Sequence, residues 1–336
     1  MIRVTANRVL VTGGGGFLGL ALTRKLVEQG LTVVSLSRSR YPALDELGVE
    51  QISADLADSE AIKKAFSGCD LVFHVAAKAG VWGDEAAYER ANVTGSENVI
   101  AACRHHGITR LVYTSSPSVV FNGRSMEGVN ESVPYPDHFH APYPRTKALA
   151  EQKILAANNS SLATVALRPH LIWGPGDNHL VPRILERGRA GQLRRIGRHD
   201  HCVDTIYIDN AVDAHLLAAQ RLALGAPCAG KAYFISQDDP RPLWDIVNAI
   251  LAAGNVPPVT RSIPAAVAYA AGTILEIAYR VLNKQQEPRM TRFLARELTT
   301  AHWFDISAAK RDLGYAPRIS IEEGMERLRQ WLAQQG

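Results

Sequence analysis

The chain has few cysteines and no pattern of metal-binding residues. Its cysteines stand alone, without a C-x-x-C pair or another spacing typical of metal ligands. The histidines likewise lack the spacing to carboxylates and other histidines that indicates zinc. We therefore predict no metal centre, and we expect free or buried thiols in a reducing compartment, the cytoplasm. The four cysteines are Cys69, Cys103, Cys202 and Cys228.

Other features are missing as well. The amino terminus leads directly into a strand-like segment, without a basic stretch followed by an apolar one, so we do not expect secretion. The chain has 37 Lys and Arg against 33 Asp and Glu, mixed along its length, with a net charge of +4. That balance argues against a nucleic-acid-binding protein. We find no internal repeats and no low-complexity linkers, and 336 residues can form one large α/β core with an appended lobe.

What the chain does have is a glycine cluster between a predicted strand and a predicted helix. Residues 8–12 are apolar and rich in β-branched side chains, which indicates a buried strand, and residues 17–29 show helical spacing. Glycines in such a turn let the backbone approach a pyrophosphate, whose charge then lies at the positive end of the helix. A structural loop or a flavin site would also explain glycines alone. The predicted dinucleotide contacts here are Gly13, Gly16, Phe17, Leu18 and Gly19.

The second predicted strand, residues 32–38, ends without an acidic residue. A carboxylate at this position holds the adenosine ribose in NAD-binding proteins. Ser37 and Arg38 stand there instead, and a guanidinium can bind a 2′-phosphate in a forked manner, which favours NADP(H). The alternative is a solvated arginine in a turn.

Two further strands supply candidate cofactor contacts. Residues 51–56 predict a third strand with Asp55 at its end, placed to meet the adenine amine, although Asp55 could instead cap the helix that follows. Residues 71–77 predict a fourth strand, which ends in small residues that leave room for a cofactor. The predicted contacts are Asp55, Leu56, Ala76 and Ala77.

Strands and helices alternate through the first half of the chain, with a helix predicted over 85–106 and a strand over 110–116. This alternation predicts the α/β class, with a doubly wound parallel sheet of the Rossmann type. Ligands of such sheets lie beyond the carboxyl ends of the strands. We assign residues 1–168 to an NADP(H)-binding domain and 169–336 mainly to a smaller, interleaved C-terminal substrate lobe. In that lobe we predict helices at 181–189, 208–222, 243–253 and 321–332, and strands near 231–235 and 302–305.

A tyrosine precedes a lysine by four residues near the middle of the chain. Pro144 is tolerated in the first turn of a helix, so a helix is predicted to begin here, with Tyr143 and Lys147 on one face, about 5–6 Å apart at Cβ. We expect the nearby ammonium to lower the phenol pKa, which is near 10 when unperturbed, and so to make Tyr143 a general acid or base. The alternative is an ordinary surface pair.

Taken together, these motifs resemble the extended short-chain dehydrogenases/reductases, nearest the branch of the 3β-hydroxysteroid dehydrogenases. The resemblance extends over nearly the whole chain, and the ordered series of motifs is more specific than any one of them. The matching segments are residues 12–19, 55–56, 73–77, 92–96, 113–116, 143 with 147, 168–169 with 174–175, 303–307 and 313–317.

The resemblance implies roles for individual residues. Tyr143 would donate a proton to the carbonyl oxygen, while Lys147 would hold the nicotinamide ribose and depress the tyrosine pKa. Ser116 would hydrogen-bond the same oxygen, with Ser115 as the alternative serine. Asn92 would belong to a proton relay, or would simply cap a helix. Pro169 is a further cofactor contact that the resemblance implies.

Further segments are similar to a narrower group, the bacterial 2-alkyl-3-keto acid reductases of long-chain olefin biosynthesis. These segments are residues 39–44, 79–83, 114–119 and 167–177. This resemblance implies NADPH-dependent reduction of a long-chain 2-alkyl-3-oxoalkanoate to the 2-alkyl-3-hydroxyalkanoate. A 3β-hydroxysteroid dehydrogenase, a sugar-nucleotide epimerase and a non-catalytic NADP-sensing protein of the same fold remain alternatives.

Residues 263–282 are nearly all apolar and small, and approach the roughly 20 residues that span a bilayer. Pro264, Gly272 and the pair Glu276 and Arg280 count against a span. Three interpretations remain: a core or oligomer helix, a wall of a long-chain substrate cleft, and an interfacial membrane helix. We expect a homo-oligomer, and association with a membrane surface or a pathway enzyme remains open. Residues 207–210 resemble a family segment that returns to the sheet.

Overall fold

The structure, a computed structural model, describes residues 2–197 and 199–335. Its strands are short and follow one another through the whole of this range. In chain order they are β1 (Arg8–Thr12), β2 (Thr32–Ser37), β3 (Glu50–Ser53), β4 (Leu71–His74), β5 (Arg110–Thr114), β6 (Met126–Val129), β7 (Ala163–Pro169), β8 (Ile172–Trp173), β9 (Arg195–Ile196), β10 (Cys202–Val203), β11 (Ile206–Tyr207), β12 (Lys231–Ile235), β13 (Arg241–Pro242), β14 (Ser262–Ile263) and β15 (His302–Phe304).

Helices separate the strands. A π-helical turn, Glu89–Thr94, joins α4 to α5, and a short 3₁₀ helix, Pro117–Val120, follows β5. The α-helices are α1 (Phe17–Glu28), α2 (Pro42–Glu46), α3 (Ser59–Ala65), α4 (Glu85–Tyr88), α5 (Gly95–His105), α6 (Pro142–Ala156), α7 (Leu180–Arg189), α8 (Ile208–Arg221), α9 (Leu243–Ala253), α10 (Ala265–Val281), α11 (Arg292–Glu297), α12 (Ser307–Leu313) and α13 (Ile321–Gln335).

A seven-stranded parallel sheet forms the centre of the molecule, in the order β12-β7-β5-β4-β1-β2-β3. Leu10 of β1 pairs with Val34 of β2 on one side and with Val72 of β4 on the other. The chain therefore changes direction between β1 and β4, which is where doubly wound sheets bind ligands. The predicted α/β fold with a Rossmann-type sheet is confirmed.

Alternate residues of each strand enter two cores. Val9 and Val11 point to the face covered by α1 and α8, whereas Leu10 points to the face covered by α3, α5 and α6. Fully buried side chains on the helices complete each core, such as Leu22 of α1 and Ile154 of α6. Each such leucine or isoleucine contributes roughly 1.5–3 kcal/mol by leaving water. The two cores hold the strand ends in fixed positions.

Several predicted strands end earlier than expected. β3 stops at Ser53 instead of residue 56, because the Asp55 carboxylate accepts a hydrogen bond from the Ala57 N–H at 2.9 Å and turns the chain. β4 stops at His74 instead of residue 77, because the Ala76 N–H donates to Thr12 Oγ1 at 3.1 Å instead of to a strand. The predicted helix 85–106 is interrupted by the π-helical turn.

The second half of the chain returns to the sheet in a different place from the predicted one. β11 pairs with β8 in a separate two-stranded sheet, so the prediction that residues 207–210 rejoin the main sheet is wrong for this strand. Instead, α8 packs on β5 and β7, and β12 adds the edge strand beside β7. Segments beyond residue 168 thus contribute to the central sheet, as interleaved lobes require.

The apolar segment 263–282 forms α10, but it is not a core helix. Its buried side is narrow, comprising Ala268, Gly272 and Glu276. Gly272 lies so close to α11 that an added Cβ would come within 2.7 Å of the Thr291 backbone. Over the described residues, 2–197 and 199–335, no helix is long and apolar enough to cross a bilayer. The outward face is apolar and between 53% and 79% exposed at Val267, Ile274, Ile277 and Val281.

Candidate active site

The glycine turn follows β1 and is closed by contacts that no side chain would permit. Gly13 has φ +72°, and a Cβ there would lie 2.9 Å from the Ala76 Cα atom beyond β4. A Cβ on Gly19 would lie 2.1 Å from the Gly13 carbonyl oxygen, because α1 starts directly against the turn. The turn therefore brings the start of α1 to the switch point of the sheet, where backbone N–H groups can meet a phosphate.

A cleft of about 430 Å³ opens at this switch point. It collects, from four separate segments, most of the residues that the sequence predicts as cofactor contacts. Those that line it are Gly13, Gly16, Phe17, Gly19, Ser37, Arg38, Asp55, Leu56, Ala76 and Ala77.

Two polar groups at the end of β2 have no partner in the described part of the chain. The Ser37 hydroxyl is buried without a hydrogen bond, and Arg38 makes neither a hydrogen bond nor an ion pair among residues 2–197 and 199–335. Arg40, two residues later, is instead paired with Asp45 at 2.7 Å. A hydroxyl and a guanidinium without partners, beside a glycine turn, fit a dinucleotide that carries a 2′-phosphate.

Asp55 also lines the cleft. Its carboxylate accepts from the Ala57 N–H and from Arg90 at 3.1 Å, and these hydrogen bonds lower its pKa. Asp58, and not Asp55, caps α3, accepting from the Ala61 N–H at 3.1 Å. The helix-cap alternative for Asp55 is therefore wrong.

Four predicted cofactor contacts do not line the cleft: Leu18, Tyr143, Lys147 and Pro169. The Leu18 side chain is buried in the core under α1, and Pro169 is buried at the end of β7. Nine residues that were not predicted also line it: Leu36, Tyr41, Ala54, Val75, Lys78, Ala87, Arg90, Ala91 and His179. Three of these residues, Ala87, Arg90 and Ala91, lie in a helical region at spacings of three and four residues. This spacing places them on one face of the helix, and it is the sequence signal that could have identified them.

A buried network of hydrogen bonds connects the ends of β1 and β4, which lie beside the cleft. His74 Nδ1 accepts from the Thr12 hydroxyl at 2.8 Å, and its Nε2–H donates to Ser96 Oγ at 2.9 Å. Ser96 in turn donates to the Asn92 carbonyl at 2.7 Å, which leaves its oxygen free to accept from the imidazole. Burial lowers the pKa of His74 to about 3, so this ring is neutral. The network joins β1, β4 and the π-helical turn.

Asn92 lies inside the π-helical turn and is 2% exposed, so it does not cap a helix. Its amide accepts from the Lys78 N–H at 2.7 Å and donates to the Lys78 carbonyl at 3.1 Å. It also donates to Thr146 Oγ1 on α6 at 3.0 Å. Asn92 thus holds the loop after β4 against α6, the helix that carries Tyr143 and Lys147. Its role in a proton relay stays a prediction.

Tyr143 and Ser116 line one cavity of about 210 Å³. α6 begins at Pro142, so Pro144 lies in its first turn as predicted. Burial raises the pKa of Tyr143 to about 12, and a hydrogen bond with Ser116 offsets only part of this rise. A phenol with this pKa is protonated at neutral pH and can donate a proton to a neighbouring oxygen.

Lys147 does not lower the pKa of Tyr143 in this structure, so that prediction is wrong. Lys147 is 2% exposed, and its ammonium donates to the Thr114 carbonyl at 2.6 Å and lies 4.1 Å from the centre of the Tyr113 ring. Burial lowers the pKa of Lys147 to about 7. The Lys147 ammonium is held at the end of β5 by the Thr114 carbonyl. The pKa of Tyr143 is therefore set mainly by the cost of burying a phenolate.

The two candidate serines have different environments. Ser116 caps the 3₁₀ helix, where its Oγ accepts from the Ser118 N–H at 3.2 Å and from the Ser118 hydroxyl at 3.0 Å. The Ser115 hydroxyl is buried and has no hydrogen-bond partner among the described residues. Only Ser116 shares the cavity with Tyr143, so the geometry favours Ser116 over Ser115.

The rest of the cavity comes from distant parts of the chain. Aromatic residues from the 3₁₀ helix end, α11 and β15 form its walls, together with two histidines and one glutamate. Their contribution was not predicted, because no local pattern joins them. They are Phe121, His170, Phe293, Glu297, His302 and Phe304.

A second cavity of about 410 Å³ adjoins the first. Val81 and Phe293 line both cavities, and Glu276 and Tyr279 of α10 line the second. α10 is therefore a cleft wall on its inner side, but its apolar residues mostly face outward. Among the described residues, 2–197 and 199–335, no cluster of three or more potential metal ligands occurs, and the four cysteines are free.

Comparison with known proteins identifies the family of the chain. The profile of the 3-beta hydroxysteroid dehydrogenase/isomerase family matches residues 10–262. The chain belongs to this family. It is an oxidoreductase with the Rossmann-like fold of the short-chain dehydrogenases, and the predicted family is confirmed.

Relatives within the family include two bacterial enzymes. The 2-alkyl-3-oxoalkanoate reductase of Shewanella oneidensis is 54% identical over 331 residues, covering 96% of this chain and 86% of the relative. The enzyme of the same name from Stenotrophomonas maltophilia is 55% identical over 324 residues, covering 96% and 98%. The solved structure of MoeE5 in complex with UDP-glucose and NAD has a TM-score of 0.75 at 23% identity, covering 98% of this chain and 99% of MoeE5, which shows a shared fold.

Proposed function

We propose that this protein reduces the 3-keto group of a long-chain 2-alkyl-3-oxoalkanoate to the 2-alkyl-3-hydroxyalkanoate, with NADPH as reductant. The observation that carries the proposal is the cavity that places Tyr143 and Ser116 together, close to a dinucleotide-type cleft. The two relatives above 50% identity, whose names state a 2-alkyl-3-oxoalkanoate reductase, support the substrate class.

NADP(H) is proposed over NAD(H) because of the end of β2. The unpaired Arg38 and the orphan Ser37 hydroxyl would hold a 2′-phosphate, and the glycine turn would hold the pyrophosphate. MoeE5, the relative in fold, has NAD in its structure, so the preference needs a direct test. Bound NADPH would supply a hydride to the carbonyl carbon.

The residues of the chain would manage the proton. Tyr143, whose pKa of about 12 keeps it protonated, would give its O–H proton to the carbonyl oxygen as the C–H bond forms, and would regain a proton from solvent. Ser116 would donate a hydrogen bond to the same oxygen, where negative charge develops. Lys147 would hold the nicotinamide ribose by its ammonium, and Asn92 would keep α6 in register with the loop after β4.

The two adjoining cavities suit the shape of a branched substrate. The first holds the reacting groups and is about 210 Å³, which is less than the roughly 300–1,000 Å³ typical of ligand pockets. The second adds about 410 Å³ beyond Val81 and Phe293. Alkyl chains would leave the first cavity between these residues and run beside α10 past Trp82 and Tyr279, in a cavity that is also lined by the charged groups of Asp84, Glu276, Arg280 and Lys284.

A 3β-hydroxysteroid is the second candidate substrate, because the family description names steroids and the cavity walls are aromatic. A sugar nucleotide, as in MoeE5, fits less well. The described residues that line the cavity of Tyr143 include no lysine or arginine to meet a diphosphate. A non-catalytic sensor would not need Tyr143 and Ser116 together in one cavity.

The setting of the enzyme is part of the same proposal. We propose a cytoplasmic homo-oligomer, with the exposed apolar face of α10 as the surface for a second copy, a pathway enzyme or a membrane interface. Sedimentation of the purified protein with and without lipid vesicles distinguishes these arrangements.

One experiment tests the activity most directly. The purified protein is assayed with 2-alkyl-3-keto acids, 3-ketosteroids and UDP-sugars, each with NADPH and with NADH. We expect the keto acids with NADPH to give the highest kcat/KM. A preference for NADH of more than about tenfold, or roughly 1.4 kcal/mol, would overturn the assignment of Arg38, and turnover of a steroid or UDP-sugar alone would overturn the substrate.

A further inference from the structure

The cavity that holds Tyr143 also contains a carboxyl group with no evident structural role. Glu297, at the end of α11, lines this cavity and makes no hydrogen bond or ion pair among residues 2–197 and 199–335. The arginines beside it are engaged elsewhere. Arg296 contacts His140 at 3.0 Å, and Arg292 is paired with Glu276 at 2.8 Å.

Among the described residues that line this cavity there is no lysine, no arginine and no second carboxylate. The titratable groups that face Glu297 from the neighbouring elements are Tyr143 of α6, His170 after β7 and His302 of β15. Burial lowers the pKa of His170 to about 3 and that of His302 to about 4, so both rings are neutral near pH 7. An acidic substrate therefore meets no lysine or arginine among the described residues of this cavity, whereas Arg280 and Lys284 line the second cavity.

His170 and His302 differ in what they can still bind. The Thr300 hydroxyl donates to the Arg296 carbonyl at 2.7 Å, so His302 Nε2–H donates to the Thr300 oxygen at 2.8 Å. His170 Nε2 is buried without a partner in the described chain. The cavity thus presents two unused polar groups, the Glu297 carboxyl and His170 Nε2, to whatever occupies it.

A carboxylate can be bound without a cation if the partner carboxyl group brings a proton. Two carboxyl groups held close together do not both ionise, and they share one proton in a strong O–H···O⁻ hydrogen bond. Burial raises the pKa of Glu297 to about 7, so the group can hold that proton near neutral pH.

We propose that Glu297 is a specificity-determining residue that binds the carboxylate of the substrate by sharing one proton with it, with His170 as a second hydrogen-bond partner. This rests on the proposed function, which names a carboxylic acid substrate. The proton comes from Glu297 or from solvent, and no covalent bond to the protein forms. The site then selects acids over their esters, and the selection weakens as Glu297 ionises.

The test compares an acid with its methyl ester. Because 3-keto acids lose carbon dioxide readily, oxidation of a 2-alkyl-3-hydroxy acid with NADP⁺ is followed instead. The ratio of kcat/KM for acid to that for ester cancels the pH dependence of Tyr143, which both substrates share. In the parent enzyme we expect this ratio to fall about tenfold or more between pH 6.0 and 8.5, since the protonated form of Glu297 is lost through a pKa of about 7.

Variants distinguish the effect of the Glu297 proton from the effect of the Glu297 side chain itself. Glu297→Gln keeps an N–H donor at every pH, so its ratio should become independent of pH, and Glu297→Ala should give a ratio about tenfold lower at pH 6.0. Glu127→Gln, an exposed glutamate on β6, is the matched control and should follow the parent. Equal losses for acid and ester in Glu297→Ala, or a parent ratio that does not change with pH, would overturn the proposal.

A binding measurement gives a readout that does not need turnover. Titration of the NADPH complex with the hydroxy acid at pH 8.0, in two buffers of different ionisation enthalpy, should show proton uptake for the parent. No uptake is expected for Glu297→Gln, or for the ester with either protein. If neither acid nor ester is oxidised or bound, the proposed function fails as well. If both are oxidised without proton uptake, the inference about Glu297 alone fails.

Discussion

The cofactor cleft and the cavity of Tyr143 are neighbours, but they are built differently. The cleft is made by turns that follow successive strands of one sheet, and it contains charged groups such as Arg38, Asp55 and Arg90. The cavity is made by segments as far apart as residues 80 and 304, and its described lining has no lysine or arginine. We therefore expect electrostatic attraction to dominate recognition in the cleft, and shape and the proposed proton sharing to dominate recognition in the cavity.

This difference has a physical origin. In the cleft, backbone groups at the end of β1 and the start of α1 supply partial charges that require only glycines, so a short motif specifies the site. In the cavity, side chains such as Phe121 and Phe293, which contact edge to face at 5.9 Å, must be brought together by the whole fold. The following changes test the division between the two regions.

The largest effect is expected from Tyr143→Phe. Loss of the only proposed proton donor should lower the reduction rate by about 10³-fold. NADPH binding should not change, because Tyr143 lines the cavity and not the cleft. Steady-state turnover at 340 nm and a fluorescence titration measure the two effects. Tyr269→Phe, on the exposed part of α10, is the control, and a parent-like rate for Tyr143→Phe would show that the donor is another group.

A smaller loss is expected from Ser116→Ala. Removing one hydrogen bond to the developing negative charge typically costs about 10²-fold in kcat. Ser115→Ala removes a hydroxyl that has no partner in the described chain, and we expect less than about a twofold change from it. Comparison of kcat for the two variants identifies the serine. If Ser115→Ala were the slower enzyme, the roles would be exchanged.

Arg38→Ala should affect only the cleft. Loss of a charge-assisted contact to a 2′-phosphate, about 1.5–3 kcal/mol, should raise the Kd for NADPH by roughly 10- to 100-fold and leave that for NADH unchanged. Arg40→Ala is the matched control, because its guanidinium is already paired with Asp45. An equal weakening of both cofactors would mean that Arg38 supports the turn and does not read the phosphate.

The smallest effect concerns stability and pH. Burial raises the pKa of Glu297 to about 7, so the stabilisation of its protonated form is complete below the unfolded-state pKa and is lost as pH rises through about 7. Glu297→Gln should therefore melt about 2 °C above the parent at pH 8.5 and by a clearly smaller margin at pH 5.0, just above the ordinary glutamate pKa of 4.5. Thermal unfolding at the two pH values measures this. If the difference in Tm between the variant and the parent were the same at the two pH values, the Glu297 carboxyl would already be solvated in the folded protein.

The glycine motif correctly predicted a tight turn at the switch point of the sheet. Gly13, Gly19 and Ala76 are in contact because a parallel sheet places the ends of β1 and β4 side by side, which the alternation of strands and helices predicts. The ends of β3 and β4 were misplaced, because single hydrogen bonds at Asp55 and Thr12 terminate them. Local patterns do not contain such long-range partners.

The chain by itself determined the family, the α/β class and the turn that would hold a pyrophosphate, because these follow from residue spacing within a few tens of positions. Only the tertiary structure decided that Lys147 points to the Thr114 carbonyl, that the apolar residues of α10 face outward, and that Glu297 shares a cavity with Tyr143. Ionisation depends on burial, and burial depends on every element that packs around a group, so no stretch of sequence could have specified it.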